Sequence, residues 1–283
     1  MSVAGIVTGN AIALKAESFS TGIFILSLLT AVAFQIISNF ANDYGDGVKG
    51  TDNDNRIGPG RTLQQGLLTR KALKRGILIS SLISVLLAFN LIYIALGSKQ
   101  ILISSIFILL TGMAVWAAIK YTAGKRAYGY RGLGDLFVFL FFGWVSVIGA
   151  YYLQTQTVDS TALFLGTAIG LLSTGVLNLN NMRDIANDRN SKKNTLVVYL
   201  GSKKAKYYHY ILMILGSLFI FFGIGLSWVK ETPLSIMITL PIYLHFYQVV
   251  KIREPKGYDP LLKQLALSTF FISIALFVLF YHN

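Results

Sequence analysis

Apolar stretches long enough to cross a bilayer recur along this chain from one end to the other. Runs of that length read as transmembrane helices. Hydropathy and helix breakers divide the 283 residues into about nine spans, near 2–14, 21–41, 72–97, 100–119, 134–154, 161–182, 207–228, 233–250 and 261–281. The expected fold is therefore an all-α, polytopic membrane protein, with residues 1–283 forming one domain. The first span is short. At 1.5 Å per residue it covers about 20 Å of a hydrocarbon core of roughly 30 Å. Either it tilts beneath the bilayer or the start is truncated. Met1 and the residues after it lack the basic segment of a cleavable signal peptide.

Only 13% of the residues are charged, against about 25% in a soluble domain. The net charge is +13, which in a soluble protein would suggest nucleic acid. In a membrane protein the positive-inside rule accounts for it, and nucleic acid is not expected. The connections after spans two, four, six and eight hold 22 of the 25 Lys and Arg residues. That face is then cytoplasmic, with the N-terminus inside. There are no cysteines, so thiolate chemistry and disulfides are excluded. His209, His245 and His282 are far apart in sequence and read as packing or interfacial residues.

Acidic residues crowd onto the same basic face, which orientation does not require. Asp43, Asp46, Asp52, Asp54, Asp135, Asp184 and Asp188 all lie there, most of them in the long connections 42–71 and 183–206. Long loops in a compact protein are usually functional. In the first cluster Gln35, Asn39 and Asp43 recur at four-residue spacing, as do Asn42 and Asp46, so each set shares a helix face. Gly45, Gly47 and Gly50 are expected to release the chain from the helix and return Asp52 towards Asp46. In the second cluster Asn180, Asp184 and Asp188 form one stripe at the end of span six. Each cluster is an amide on a helix end, two carboxylates, then basic residues, a repetition that hints at internal duplication.

Magnesium suits such a pair of clusters. It is a hard cation, held by a few carboxylates plus substrate phosphates. Facing carboxylates repel unless a cation lies between them, and neighbouring Arg and Lys match phosphate oxygens. No calcium loop is present. The plain alternative, solvated caps and turns, explains one cluster better than two that both begin inside the membrane. A third segment on this face, 120–135, is rich in Gly, Tyr and cations. It either lids a cavity or anchors at the interface.

These residues resemble a known family. Asn39-Phe-Ala-Asn42-Asp43-Tyr44-Gly45-Asp46, Asp52, Arg56-Ile-Gly58-Pro59, Tyr121-Thr-Ala-Gly124-Lys125-Arg126, Tyr128-Gly129-Tyr130-Arg131-Gly132-Leu133-Gly134-Asp135 and Asn180-Asn181-Met-Arg183-Asp184 with Asp188 are similar to the UbiA superfamily of intramembrane prenyltransferases. The resemblance covers nearly the whole chain. The fourth residue after Asp46 is Gly50, and the acid arrives at Asp52. That longer spacing resembles the branch that prenylates 1,4-dihydroxy-2-naphthoate. Two departures stand out: Ala127 replaces a common Pro, and no basic segment precedes the first span.

The resemblance implies a helical bundle around a central cavity open sideways to lipid, and magnesium with a polyprenyl diphosphate donor. It implies 1,4-dihydroxy-2-naphthoate as acceptor, losing its carboxylate to give demethylmenaquinone, in the inner membrane of a bacterial cell. By analogy Asp46, Asp52, Asp184 and Asp188 hold the metal, supported by Asn42 and Asn180. Arg61, Lys125, Arg131 and Lys192 are candidates for the diphosphate, and Tyr121 or Asp135 for the acceptor. Three other readings stay open. One is prenylation of another aromatic acid such as 4-hydroxybenzoate. Another is a transporter, which predicts acids at mid-membrane. The third is a non-catalytic lipid- or quinone-binding partner.

Overall fold

The computed structural model describes residues 1–53, 56–225 and 232–281, without the side chains of 232–236. Asp54, His282 and positions 226–228 of the expected seventh span lie outside the described residues. No strand occurs among the described residues. The helices are α1 (Ser2–Lys15), α2 (Thr21–Lys49), α3 (Arg70–Leu96), α4 (Ile101–Lys120), α5 (Gly134–Thr155), α6 (Ser160–Arg183), α7 (Ile185–Asn190), α8 (Leu196–Gly225), α9 (Thr232–Lys251) and α10 (Tyr258–Tyr281). Among the described residues, seven helical segments are long and apolar enough to cross a membrane. The other two expected spans correspond to α1, with 14 residues, and to the partly described α9. The chain is a multi-pass membrane protein.

The burial pattern follows from lipid as solvent. Helix α4 is apolar all round and turns Ile101, Leu102, Leu109, Met113 and Trp116 outward, as a lipid-facing helix must. Helix α6 is instead wrapped by its neighbours. Its Leu165, Ile169, Leu172 and Leu179 are almost fully buried with Met213 and Ile220 of α8 and Leu265 of α10. Small residues set the close crossings. A Cβ on Gly9 of α1 would lie 2.3 Å from the Val147 carbonyl oxygen of α5, the close approach that small residues allow between membrane helices.

Helix α5 carries a π-helical stretch, Phe139–Val145. Such stretches interrupt the regular hydrogen-bond ladder and recur at functional sites. This one borders an apolar cavity with a volume of about 360 Å³. The cavity runs between α2, α4 and α5, with Phe107 and Leu153 near one end and Asn42 and Tyr121 near the other.

The first acidic segment departs from expectation in one respect. Gly45 and Gly47 do not release the chain; α2 continues through both to Lys49. Helix continuation is favoured because each residue adds a backbone hydrogen bond. The helix stops at Gly50, whose φ of 74° is left-handed, a conformation that glycine adopts without Cβ strain. Gly45 serves contact instead: a Cβ there would lie 2.6 Å from the carbonyl carbon of Thr122.

His209 and His245 are packed, as expected, but against each other. His209 of α8 and His245 of α9 meet with Nε2 atoms 3.1 Å apart, and His245 Nδ1 lies 3.4 Å from Gln264 of α10. Sequence distance conceals a contact that helix packing creates. Among the described residues, this pair belongs to no group of three or more His, Cys, Asp or Glu side chains placed to hold a metal.

Candidate active site

The end of α2, the loop behind it, α7 and the 190s loop converge at one end of the bundle. The turn after α2 folds back, so that the N–H groups of Thr51 and Asp52 both point to the Asp46 carbonyl, at 3.0 and 3.4 Å. Asn187 of α7 donates its amide to the Thr51 carbonyl at 2.8 Å. That bond joins the two acidic segments, which lie more than a hundred residues apart. Thr122 donates to the Ala41 carbonyl at 2.9 Å and lies 3.4 Å from the Asn42 amide oxygen. The 120s segment is thereby pinned beside the first cluster.

The protein's own cations sit between the carboxylates. Lys193 is buried and donates to Asp46 at 3.0 Å. Arg56 lies 3.5 Å from Asp52 and 3.8 Å from Asp184, bridging the clusters. Arg183 grips both oxygens of Asp184, at 3.1 and 2.7 Å, and reaches Asn180 at 2.8 Å and Asp259 of α10 at 2.5 Å. Gly58 is pressed against that guanidinium; a Cβ there would lie 2.4 Å from Nη2. Tyr130 completes the first cluster, donating to Asp46 at 2.7 Å beside Thr51 at 2.6 Å. Lys49 lies 3.6 Å from the Tyr130 ring centre, within cation–π range.

These charges shape one another. Burial pushes Asp188 up to about 7, with Asp184 and Asp46 adding to the effect and Lys193 and Arg56 opposing it. Burial likewise pushes Asp52 up to about 6, helped by Asp46 and opposed by Arg56. Burial works against the charge on Lys193, but Asp46 and Asp188 hold its pKa above the ordinary lysine value. Tyr121, at the cavity's acidic end, is pushed up to about 12 by burial, so its hydroxyl keeps its proton.

The sequence candidates are placed as follows. Asp46, Asp52, Asp184, Asp188, Asn42 and Asn180 all lie in or beside this cluster. Asp43 does not join it. It binds Arg61 at 2.9 Å and the Thr62 hydroxyl at 2.6 Å, and so staples the loop to α2. Lys125, Arg131 and Lys192 are exposed at the same end. Asp135 is buried behind Tyr121 at the start of α5. Sequence reasoning noted Arg56, Arg183, Lys193 and Tyr130 only within motifs or as basic residues beside the acids, gave none an individual role, and did not reach Asp259. Arg183 carried one signal, its place next to Asp184. Lys193 carried none that separates it from Lys192. The difference is conformational: Lys192 has a φ of 55°, and the chain turns so that one lysine is exposed and the next is buried.

The donor set suits a magnesium ion bound together with phosphates. Asp52 Oδ2 is buried without a hydrogen-bond partner among the described residues, a hard oxygen left for a cation. No group of three or more His, Cys, Asp or Glu side chains among the described residues is placed to hold a metal unaided. Magnesium seldom uses such a cage; it takes one or two carboxylates and completes its shell with water and substrate phosphates.

Comparison with known proteins identifies the family. The UbiA prenyltransferase family matches residues 2–280. The 1,4-dihydroxy-2-naphthoate octaprenyltransferase of Escherichia coli is 45% identical over 218 residues, covering 77% of this chain and 70% of that protein. The protein of the same name from Haemophilus influenzae is 39% identical over 280 residues, covering 97% and 89%. A solved structure from work on digeranylgeranylglyceryl phosphate synthase superposes with a TM-score of 0.58 at 13% identity, covering 100% of this chain and 92% of that one. At that identity it speaks for the fold alone. The chain belongs to the UbiA prenyltransferase family.

Proposed function

We propose that this prenyltransferase moves a polyprenyl group from polyprenyl diphosphate to 1,4-dihydroxy-2-naphthoate, with loss of the carboxylate as CO2, giving demethylmenaquinol, the reduced form of demethylmenaquinone. The observation that carries the reading is two acidic helix ends, interleaved with buried cations, meeting beside an apolar cavity. The names of relatives at 45% and 39% identity support the choice of acceptor. The transfer breaks the allylic C–O bond, whose electrons leave with the diphosphate, and joins the prenyl carbon to an electron-rich ring carbon; the bond to the carboxylate then breaks, its electrons return to the ring, and CO2 leaves. Magnesium, when bound, supplies neutralisation of the charge that develops on the leaving diphosphate.

The chain's own residues do the rest. Asp46, Asp52, Asp184 and Asp188 hold the metal, with Asn42 and Asn180 supporting them. Lys193 and Arg56 are already poised among these carboxylates and turn to the phosphate oxygens as the donor arrives. Arg61, Lys125, Arg131 and Lys192 meet the outer phosphate. The apolar cavity receives the tail and keeps water from the reacting carbon. Tyr121 divides cavity from acids and faces both the diphosphate and the aromatic ring. The positive-inside pattern supports a cytoplasmic face for this end, with the N-terminus inside; the membrane is then that of a bacterial cell, and 1–283 act as one catalytic unit.

The test is purified enzyme with magnesium, a polyprenyl diphosphate and a panel of aromatic acids. Prenylated naphthoquinol with CO2 release is expected. Preferred turnover of 4-hydroxybenzoate would replace the acceptor, and magnesium-independent turnover would remove the mechanism.

A further inference from the structure

Two buried polar side chains behind Tyr121 have unpaired atoms among the described residues. Asn178 of α6 is fully buried, and neither its amide nitrogen nor its oxygen has a partner. Asp135 Oδ1, at the start of α5, is buried and unpaired as well. Asn178 lies at the seam between α5 and α6, where its neighbour Leu177 closes on Gly134 beside Asp135. Thr174, one helical turn before Asn178, has its hydroxyl 3.4 Å from the Asp135 carbonyl oxygen. From α8, Tyr208 turns its hydroxyl towards the Asp135 carboxyl. The seam adjoins the cavity: Tyr121 and Leu177 line the cavity and also close upon Gly134, next to Asp135.

An unpaired amide in a membrane protein interior is costly. A leucine of similar size at 178 would remove that cost without leaving a hole. Such a group is kept where a ligand completes its hydrogen bonds. We propose that Asn178 and Asp135, with Tyr208, form the subsite that recognises a ring hydroxyl of the aromatic acceptor. This rests on the aromatic-prenylation reading above. A phenolic hydroxyl donates to Asp135 Oδ1 and accepts from the Asn178 amide nitrogen, pairing two of the three unpaired atoms. Charge fixes the ring's direction. A carboxylate is repelled by Asp135 and drawn to Lys193, whose charges act on Tyr121 with opposite signs. The ring enters through the wall made by Tyr121 and Leu177.

The test uses the full chain in detergent and compares wild type with Asn178→Leu and Asp135→Asn. Thermal unfolding is measured alongside KM for donor and acceptor, and naphthoates with and without the second hydroxyl are compared. Asn178→Leu is expected to raise Tm, raise the acceptor KM at least tenfold, leave the donor KM unchanged, and erase the preference for the dihydroxy ring. Asp135→Asn keeps the shape and is expected to raise the acceptor KM by a similar factor; it decides the matter if Asn178→Leu does not fold. An unchanged acceptor KM in the folded variants, or an equal rise in the donor KM, overturns the subsite. A wild-type enzyme that prenylates no phenolic acid overturns the functional reading beneath it instead.

Discussion

Adjacent lysines at 192 and 193 give a sharp internal comparison, because one is exposed and the other buried. Replacing Lys193 with Met keeps most of the side chain's length and removes its charge. At 3.0 Å from Asp46, and with an effective dielectric constant of about 20, the gross attraction is about 5–6 kcal/mol. Desolvation of the pair offsets much of that, but deleting the cation leaves a buried carboxylate with the Tyr130 hydroxyl as a donor and no bonded countercharge, and such a change costs about 3–5 kcal/mol. Lys192→Met removes an exposed cation, and its effect on stability should stay within about 0.5 kcal/mol. The assay is chemical unfolding in detergent, with the donor KM measured in parallel. Lys193→Met should lose both stability and donor affinity, and Lys192→Met should lose little stability. Equal losses, or a larger stability loss at 192, would refute the assignment of the buried cation.

Other consequences follow from the same geometry. Arg183→Lys loses the fork on Asp184 and should weaken magnesium–pyrophosphate binding by about 1.5–3 kcal/mol, read by calorimetry. Gly45→Ala puts a Cβ 2.6 Å from the Thr122 backbone and should cost about 1–3 kcal/mol of stability, with turnover reduced because Asp46 is the next residue. For pH, the folded-state pKa values of Asp52 and Asp188 are raised to about 6 and about 7. Each carboxyl thus favours the fold at low pH, and that contribution is lost as pH rises through 6 to 7. The metal-free protein should therefore unfold more readily at about pH 8 than at about pH 5, and magnesium with pyrophosphate should narrow the difference.

Much of this architecture was legible before any coordinates. Bilayer-length apolar runs located the long helices because a membrane leaves backbone hydrogen bonds no other partner. Helical spacing put Asn42 with Asp46, and Asn180 with Asp184 and Asp188, on common faces. What escaped was set by tertiary contact. Gly45 and Gly47 looked like helix exits, but a glycine inside a helix and one after it have the same letter. Only packing against Thr122 and Leu63 tells them apart. Arg183 looked like one more orientation charge until α10 brought Asp259 to it. The His209–His245 contact depends on how α8 and α9 cross, which no local pattern encodes.

The central claim is that two acidic helix ends make one metal–diphosphate site. Manganese binding, followed by electron paramagnetic resonance with and without pyrophosphate, tests it most directly. The account predicts a bound manganese signal that needs pyrophosphate and is lost in Asp52→Asn and in Asp188→Asn alike. A signal that survives in either variant would contradict a shared site.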